Sequence, residues 1–110
     1  MYEVKRDYKM VNGKEVETWT AELLGINILE VEVGTNGFKG GDTGHGSRTY
    51  FRLKDLGSTD IVASCDEGEV EIEFGGDAEL ESFIESLEFS LKVLKDQAEL
   101  YNKCRDKYSH

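Results

Sequence analysis

An α+β fold is predicted for this 110-residue chain: an antiparallel sheet of five to six strands followed by one long C-terminal helix packed on one face. Three observations predict it. Up to Phe74 apolar residues recur at alternate positions, the period of a half-buried strand. After Gly75-Gly76-Asp77 the period changes to steps of four and three, that of a helix. Glycine-containing links separate the alternating runs, as antiparallel hairpins require.

The first strand, Tyr2 to Met10, places Tyr2, Val4, Arg6, Tyr8 and Met10 on one face and Glu3, Lys5, Asp7 and Lys9 on the other. Asn12-Gly13 follows, a strong hairpin signal because both residues tolerate φ > 0. A two-residue turn there pairs Val11 with Lys14, Arg6 with Trp19, Val4 with Ala21 and Tyr2 with Leu23. Trp19, Ala21 and Leu23 then join the Tyr2/Val4 face, and Arg6 beside Trp19 suits a cation–π pair. Lys5 opposite Thr20 and Lys9 opposite Val16 are assigned to the wet face. Gly25 ends the second strand.

Ile26 to Val33 is the third strand, with Leu29, Val31 and Val33 opposed to Glu30 and Glu32. Arg48 to Lys54 is the fourth, with Thr49, Phe51 and Leu53 inward. Asp60 to Cys65 and Glu69 to Phe74 are the fifth and sixth; the last alternates Val70, Ile72 and Phe74 with Glu69, Glu71 and Glu73.

Asp77 is a good N-cap, and Glu79 and Glu81 lie where the helix dipole favours anions. Beyond them Leu80, Ile84, Leu87, Leu91, Leu94, Ala98 and Tyr101 form an unbroken heptad seam. The simplest expectation makes this seam the core-facing stripe. The alternative is a seam shared between two subunits, since a strict 3.5-residue repeat is narrower than most globular stripes. A helix to residue 106 is about 43 Å long and overhangs strands of about 30 Å, so either it breaks near Asn102 or the overhang meets another chain; the expected arrangement is a homodimer through the C-terminal helix. The expected organisation is one domain over 1–110, with the sheet in 1–74 and the helix in 77–106. The expected core is Tyr2, Val4, Trp19, Ala21, Leu23, Leu29, Val31, Phe51, Leu53, Ile61, Val70, Ile72, Leu80, Ile84, Leu87 and Leu91.

The net charge of −10 is unevenly placed. Residues 1–54 sum to zero, residues 55–91 carry twelve acids and no Lys or Arg, and residues 92–110 sum to +2. A field of that sign argues against direct nucleic-acid binding. No apolar run approaches the ~20 residues that span a bilayer, and Met1 to Met10 has no signal-peptide h-region. The expected location is therefore cytoplasmic, with no membrane partner. Cys65 and Cys104 are expected to be free, partly buried thiols, a disulfide between them being the alternative. With His45 and His110 the only histidines, no zinc-ligand spacing exists, and no metal or cofactor is expected.

Residues 34–47 hold six of the twelve glycines in one 14-residue connection, where about four to six residues is usual. Glycines permit close backbone approach to a ligand, and their amides with His45 and Arg48 suit an anion such as phosphate. Asp42-Thr43-Gly44 matches the aspartic-protease triplet but follows Lys39-Gly40-Gly41 rather than an apolar strand. Gly41-Asp42-Thr43-Gly44 lacks the serine of a serine-protease turn, and no Gly-Lys-Ser/Thr closes a P-loop. No catalytic residue is assigned on these grounds.

These features together read as a non-enzymatic binding module of the protein-interaction or inhibitor type. In size and charge the chain is similar to small acidic proteins of phages and mobile elements, some of which occupy nucleic-acid-binding surfaces. The contact face would be the acidic block 66–88, with Glu69, Glu71, Glu73, Glu81 and Glu85 set against a basic protein partner. One alternative is capture of a phosphorylated or nucleotide-like, anionic small molecule by the glycine-rich loop 34–48, using Asp42, His45, Ser47, Arg48, Tyr50 and Arg52. A second alternative is a small hydrolase using Asp42 and His45.

Overall fold

The computed structural model describes the backbone of residues 3–24, 28–39, 46–57 and 60–108, and side chains up to Leu100 apart from Leu24. Tyr2, Ile26, Asp42 and His45 lie outside the described residues. Six strands and one helix follow in order: β1 (Val4–Val11), β2 (Lys14–Leu24), β3 (Ile28–Thr35), β4 (Thr49–Gly57), β5 (Ile61–Asp66), β6 (Glu69–Phe74) and α1 (Asp77–Tyr108). All strand pairs are antiparallel. The strands divide into a four-stranded sheet of order β1-β2-β3-β4 and a separate β5-β6 hairpin.

The Asn12-Gly13 turn sets the first register as its chemistry dictates. Both residues have positive φ, 46° and 83°, the type I′ condition whose twist matches that of the flanking strands. Val11 pairs with Lys14, Arg6 with Trp19 and Val4 with Ala21. The Arg6 guanidinium lies 6.0 Å from the Trp19 ring. Continuing across the sheet, Ala21 pairs with Val31 and Val31 with Leu53, so one face carries Ala21, Leu23, Leu29, Val31 and Val33. Those five residues and Phe89 of α1 are the buried core, flanked by Trp19, Leu53, Ile61, Phe74, Val93 and Leu94.

The helix meets this face with a different stripe from the heptad seam. Ser82, Ser86, Phe89, Ser90 and Gln97 are buried, whereas Leu80, Ile84, Leu87 and Leu91 are 56%, 46%, 47% and 55% exposed. The expectation that these four leucine-rich positions form the core is therefore corrected. Serine at steps of four leaves a shallow helix surface that lets backbone approach sheet, and Phe83, Phe89 and Val93 supply the apolar area beside it. The hydroxyls are satisfied within the helix: Ser86 Oγ donates to Phe83 O at 2.7 Å and Ser90 Oγ to Ser86 O at 2.7 Å. Burial then costs no hydrogen bond.

The opposite face, assigned to water by alternation, is partly covered. Val16 and Thr18 are fully buried and Glu32 nearly so. The return limb of the glycine-rich connection lies against this side. Arg48 Nε donates to Asn12 O at 3.2 Å, and Gly46 sits beside the Lys14 side chain. Strand alternation distinguishes two faces but says nothing about distant residues, here Gly46 and Arg48, that lie against one of them.

The β5–β6 hairpin stands apart as an arm. Glu67-Gly68 closes it, with Asp66 paired to Glu69, Ala63 to Ile72 and Ile61 to Phe74. Among the described residues, Ile61 and Phe74 at its base pack beside the core, and three closer contacts fix it there. Gly75 N–H donates to Asp60 O at 3.1 Å, Asp60 N–H donates to Glu79 Oε2 at 3.1 Å, and the Phe74 and Phe83 rings stack with centroids 4.7 Å apart. Every residue from Val62 to Glu71 is exposed. Val70, expected in the core, is 70% exposed, because none of the described elements covers the apolar face of the arm near its tip. Val4 and Phe51 are also largely exposed, at 42% and 45%. They occupy the outer strands β1 and β4, while α1 runs over β3 and β2.

Candidate functional site

Period-2 geometry aims the acidic side chains of the arm in one direction. Val62, Ser64 and Asp66 of β5 share a face with Glu69, Glu71 and Glu73 of β6, by pairs Val62–Glu73, Ser64–Glu71 and Asp66–Glu69. Alternate residues along a strand are about 6.8 Å apart, so the three glutamates form an evenly spaced anionic row. All three are exposed, as are Glu81 and Glu85 on the first turns of α1. Among the described residues, none of these five carboxylates takes part in an ion pair. The absence of any Lys or Arg between 55 and 91 explains why. Cys65 near the tip is an exposed free thiol rather than a partly buried one.

The glycine-rich connection is anchored at its neck by polar contacts. Asn36 N–H donates to Arg48 O at 3.2 Å, and Arg48 N–H donates to Asn36 Oδ1 at 2.7 Å. Asn36 Nδ2 donates to Gly46 O at 2.9 Å, Ser47 Oγ to Gly37 O at 2.8 Å and Thr35 Oγ1 to Arg48 O at 3.0 Å. Gly37 and Gly46 have φ of 87° and 101°, a region that a side chain would make costly. The neck is thus a built structure in which Asn36 acts as the bridge. Ser47 and Arg48 serve that neck, the Arg48 guanidinium also donating to Ser47 O at 2.9 Å.

Tyr50 and Arg52 lie on the covered face of the sheet, in a polar cluster centred on Glu32. Thr18 Oγ1 donates to Glu32 Oε2 at 2.7 Å, while Arg52 Nε and Nη2 donate to Oε1 at 3.1 and 2.8 Å. Arg52 Nη2 also meets Glu30 Oε2 at 2.7 Å, and Lys9 Nζ is 3.6 Å from Glu32 Oε1. Lys9 stands 5.2 Å from the centre of the Tyr50 ring. Burial works to raise the Glu32 pKa, but the hydrogen bonds from Thr18 and Arg52 and the charges of Lys9 and Arg52 outweigh it, leaving the carboxyl below its ordinary range. For Arg52, burial opposes the charge, and the hydrogen bonds and charges of Glu32 and Glu30 overcome it, raising its pKa. Arg52 is therefore committed to two internal carboxylates.

One polar residue that sequence reasoning passed over closes the junction of helix and sheet. The β2–β3 ladder ends at Thr18–Gly34. At the following position the Gln97 side chain stands in for the missing rung: Thr35 N–H donates to Gln97 Oε1 at 2.8 Å, and Gln97 Nε2 donates to Glu17 O at 2.8 Å. A Cβ on Gly34 would strike the Glu17 carbonyl oxygen. Beside Gln97 a groove of about 450 Å³ opens between α1 and the β1–β2 side of the sheet, with Val4, Trp19, Phe89, Val93 and Leu100 in its walls. The overlooked signal is the row Ser82, Ser86, Ser90, Val93, Gln97, a second stripe at helical spacing hidden behind the leucines.

Among the described residues, no helix is long and apolar enough to cross a membrane. No protein-family model, curated protein or solved structure matches the chain.

Proposed function

We propose that the protein is a non-enzymatic interaction module that holds a basic protein partner against the acidic face of the β5–β6 arm and the adjoining start of α1. The observation that carries this reading is the arm itself. A two-stranded hairpin is marginal when isolated, yet this one projects from the body with a row of carboxylates that nothing in the described structure neutralises. Three like charges on alternate residues repel one another. A cationic surface removes that repulsion on binding and gains from every carboxylate at once. The contacts at the base, Glu79 to Asp60 and Phe74 to Phe83, set the direction in which the row faces. Anion capture by the glycine-rich loop draws less support, because Arg52 already serves Glu30 and Glu32.

The test is affinity capture from one cell extract by the natural chain and by a Glu69→Lys/Glu71→Lys/Glu73→Lys variant, read by quantitative mass spectrometry. Proteins with basic surfaces should be retained by the natural chain in about 0.1 M salt and released near 1 M, as the Debye length falls from about 10 Å to about 3 Å. The variant should retain none of them. An identical retained set for both chains would refute the proposal.

A further inference from the structure

We infer that the exposed leucine seam of α1 is the interface of a homodimer in which two copies pack their helices antiparallel. This goes beyond the acidic-arm reading and does not depend on it.

The helix has two packing stripes, and the chain's own core takes the serine-rich one together with Leu94 at the edge of the other. The sheet takes the serine-rich stripe through Ser86, and the seam lies about 120° further round at 100° per residue. Its first four members are about half exposed, and the same 4-3-4-3 steps continue through Leu94 to Ala98. Four large aliphatic side chains in one unbroken row, each about half exposed, make a contiguous apolar strip rather than the scattered single exposures normal on a monomer.

Charge selects both the partner and the direction. Between Asp77 and Leu91 the helix carries five acids and no base, whereas from Lys92 to Tyr108 it carries five bases and three acids. Two copies side by side in parallel would set acid against acid over the first half. Antiparallel, each acidic half faces a basic half, and a two-fold axis makes the same contact twice. With the axis between Leu91 and Leu94, Leu91 packs on Leu94 of the second copy, Leu87 on its Ala98, and Glu88 lies beside its Lys95. The seam thus meets the heptad condition for pairing with itself.

Light scattering at micromolar concentration should give twice the 12.4 kDa chain mass, and Leu87→Glu/Leu91→Glu should give the single-chain mass with unchanged helical circular dichroism. Direction is read by mixing two chains, both Cys65→Ser/Cys104→Ser, one with Glu81→Cys and one with Asn102→Cys, and adding a short bismaleimide. An antiparallel seam joins unlike chains; a parallel one joins like chains. A single-chain mass for the natural protein, a double mass for the Leu87→Glu/Leu91→Glu variant, or links only between like chains would each overturn the inference. Should that variant fail to fold, the natural-chain mass and the cross-links still decide. The Glu69→Lys/Glu71→Lys/Glu73→Lys variant should remain dimeric, so loss of arm docking and loss of the dimer are distinguishable. A seam occupied by a different protein would appear as a single-chain mass with no cross-link.

Discussion

Replacing Gln97 tests the junction between helix and sheet most directly. The side chain is 6% exposed and makes two hydrogen bonds of 2.8 Å, one to Thr35 N–H and one to Glu17 O. Gln97→Leu keeps most of the volume and removes both bonds, leaving the buried Thr35 donor and the half-buried Glu17 acceptor unpaired. At roughly 1–3 kcal/mol for the buried Thr35 N–H left without a partner and about 1 kcal/mol for the half-buried Glu17 carbonyl, the expected loss is about 2–4 kcal/mol. Gln97→Ala should lose somewhat more through the added cavity. Gln97→Glu separates the two bonds. A carboxylate still accepts from Thr35 but presents a lone pair to the Glu17 carbonyl, while the protonated acid restores the donor. Its pKa is therefore raised in the folded state, and this variant alone should gain relative stability as the pH falls toward 4. Urea unfolding followed by circular dichroism at one fixed protein concentration measures all three, with the slope against urea unchanged if only the folded state is affected. A loss under about 0.5 kcal/mol for Gln97→Leu, comparable to an ordinary surface change, would refute the view that this amide replaces a ladder rung.

Three further outcomes follow from the same geometry. The folded-state pKa of Glu32 is depressed, so its contribution is present above the unfolded value near 4.5 and lost as the pH falls through the folded value. Glu32→Gln should therefore be destabilised by roughly 3 kcal/mol at neutral pH and show a flatter acid-unfolding profile than the natural chain. Gly34→Ala should be destabilised by roughly 3 kcal/mol or more in thermal or urea melts, because the Cβ collides with fixed backbone at Glu17. Ser86→Ala should be close to neutral, since its hydroxyl bonds only the Phe83 carbonyl of its own helix. Ser86→Leu should cost about 1–3 kcal/mol by overpacking against the sheet; equal stability of these two variants would contradict the close approach.

The strands, their antiparallel pairing and the helix were legible because each rests on a local rule. Asn12-Gly13 forces a tight primed turn, and that turn sets every pair from Val11–Lys14 to Val4–Ala21. The acidic row of Glu69, Glu71 and Glu73 was equally legible, since alternation alone puts the three on one side of a strand. The Glu32 cluster and the Gln97 rung were not, because their partners are distant in sequence: Thr18 and Arg52 for one, Glu17 and Thr35 for the other.

Sequence by itself determined the faces of each element, because side-chain direction repeats every two residues in a strand and every 3.6 in a helix. Only the tertiary structure decided which faces meet. Hydrophobicity favoured Leu80, Ile84, Leu87 and Leu91 for the sheet, yet the sheet took Ser82, Ser86 and Ser90. Burial depends on distance of approach and on satisfied polar groups as well as on apolar area. Small hydroxyl-bearing residues bonded to their own helix meet both conditions. The same packing left the β5–β6 arm outside the main sheet and turned the leucines toward solvent, a result that no count of apolar residues along the chain contains.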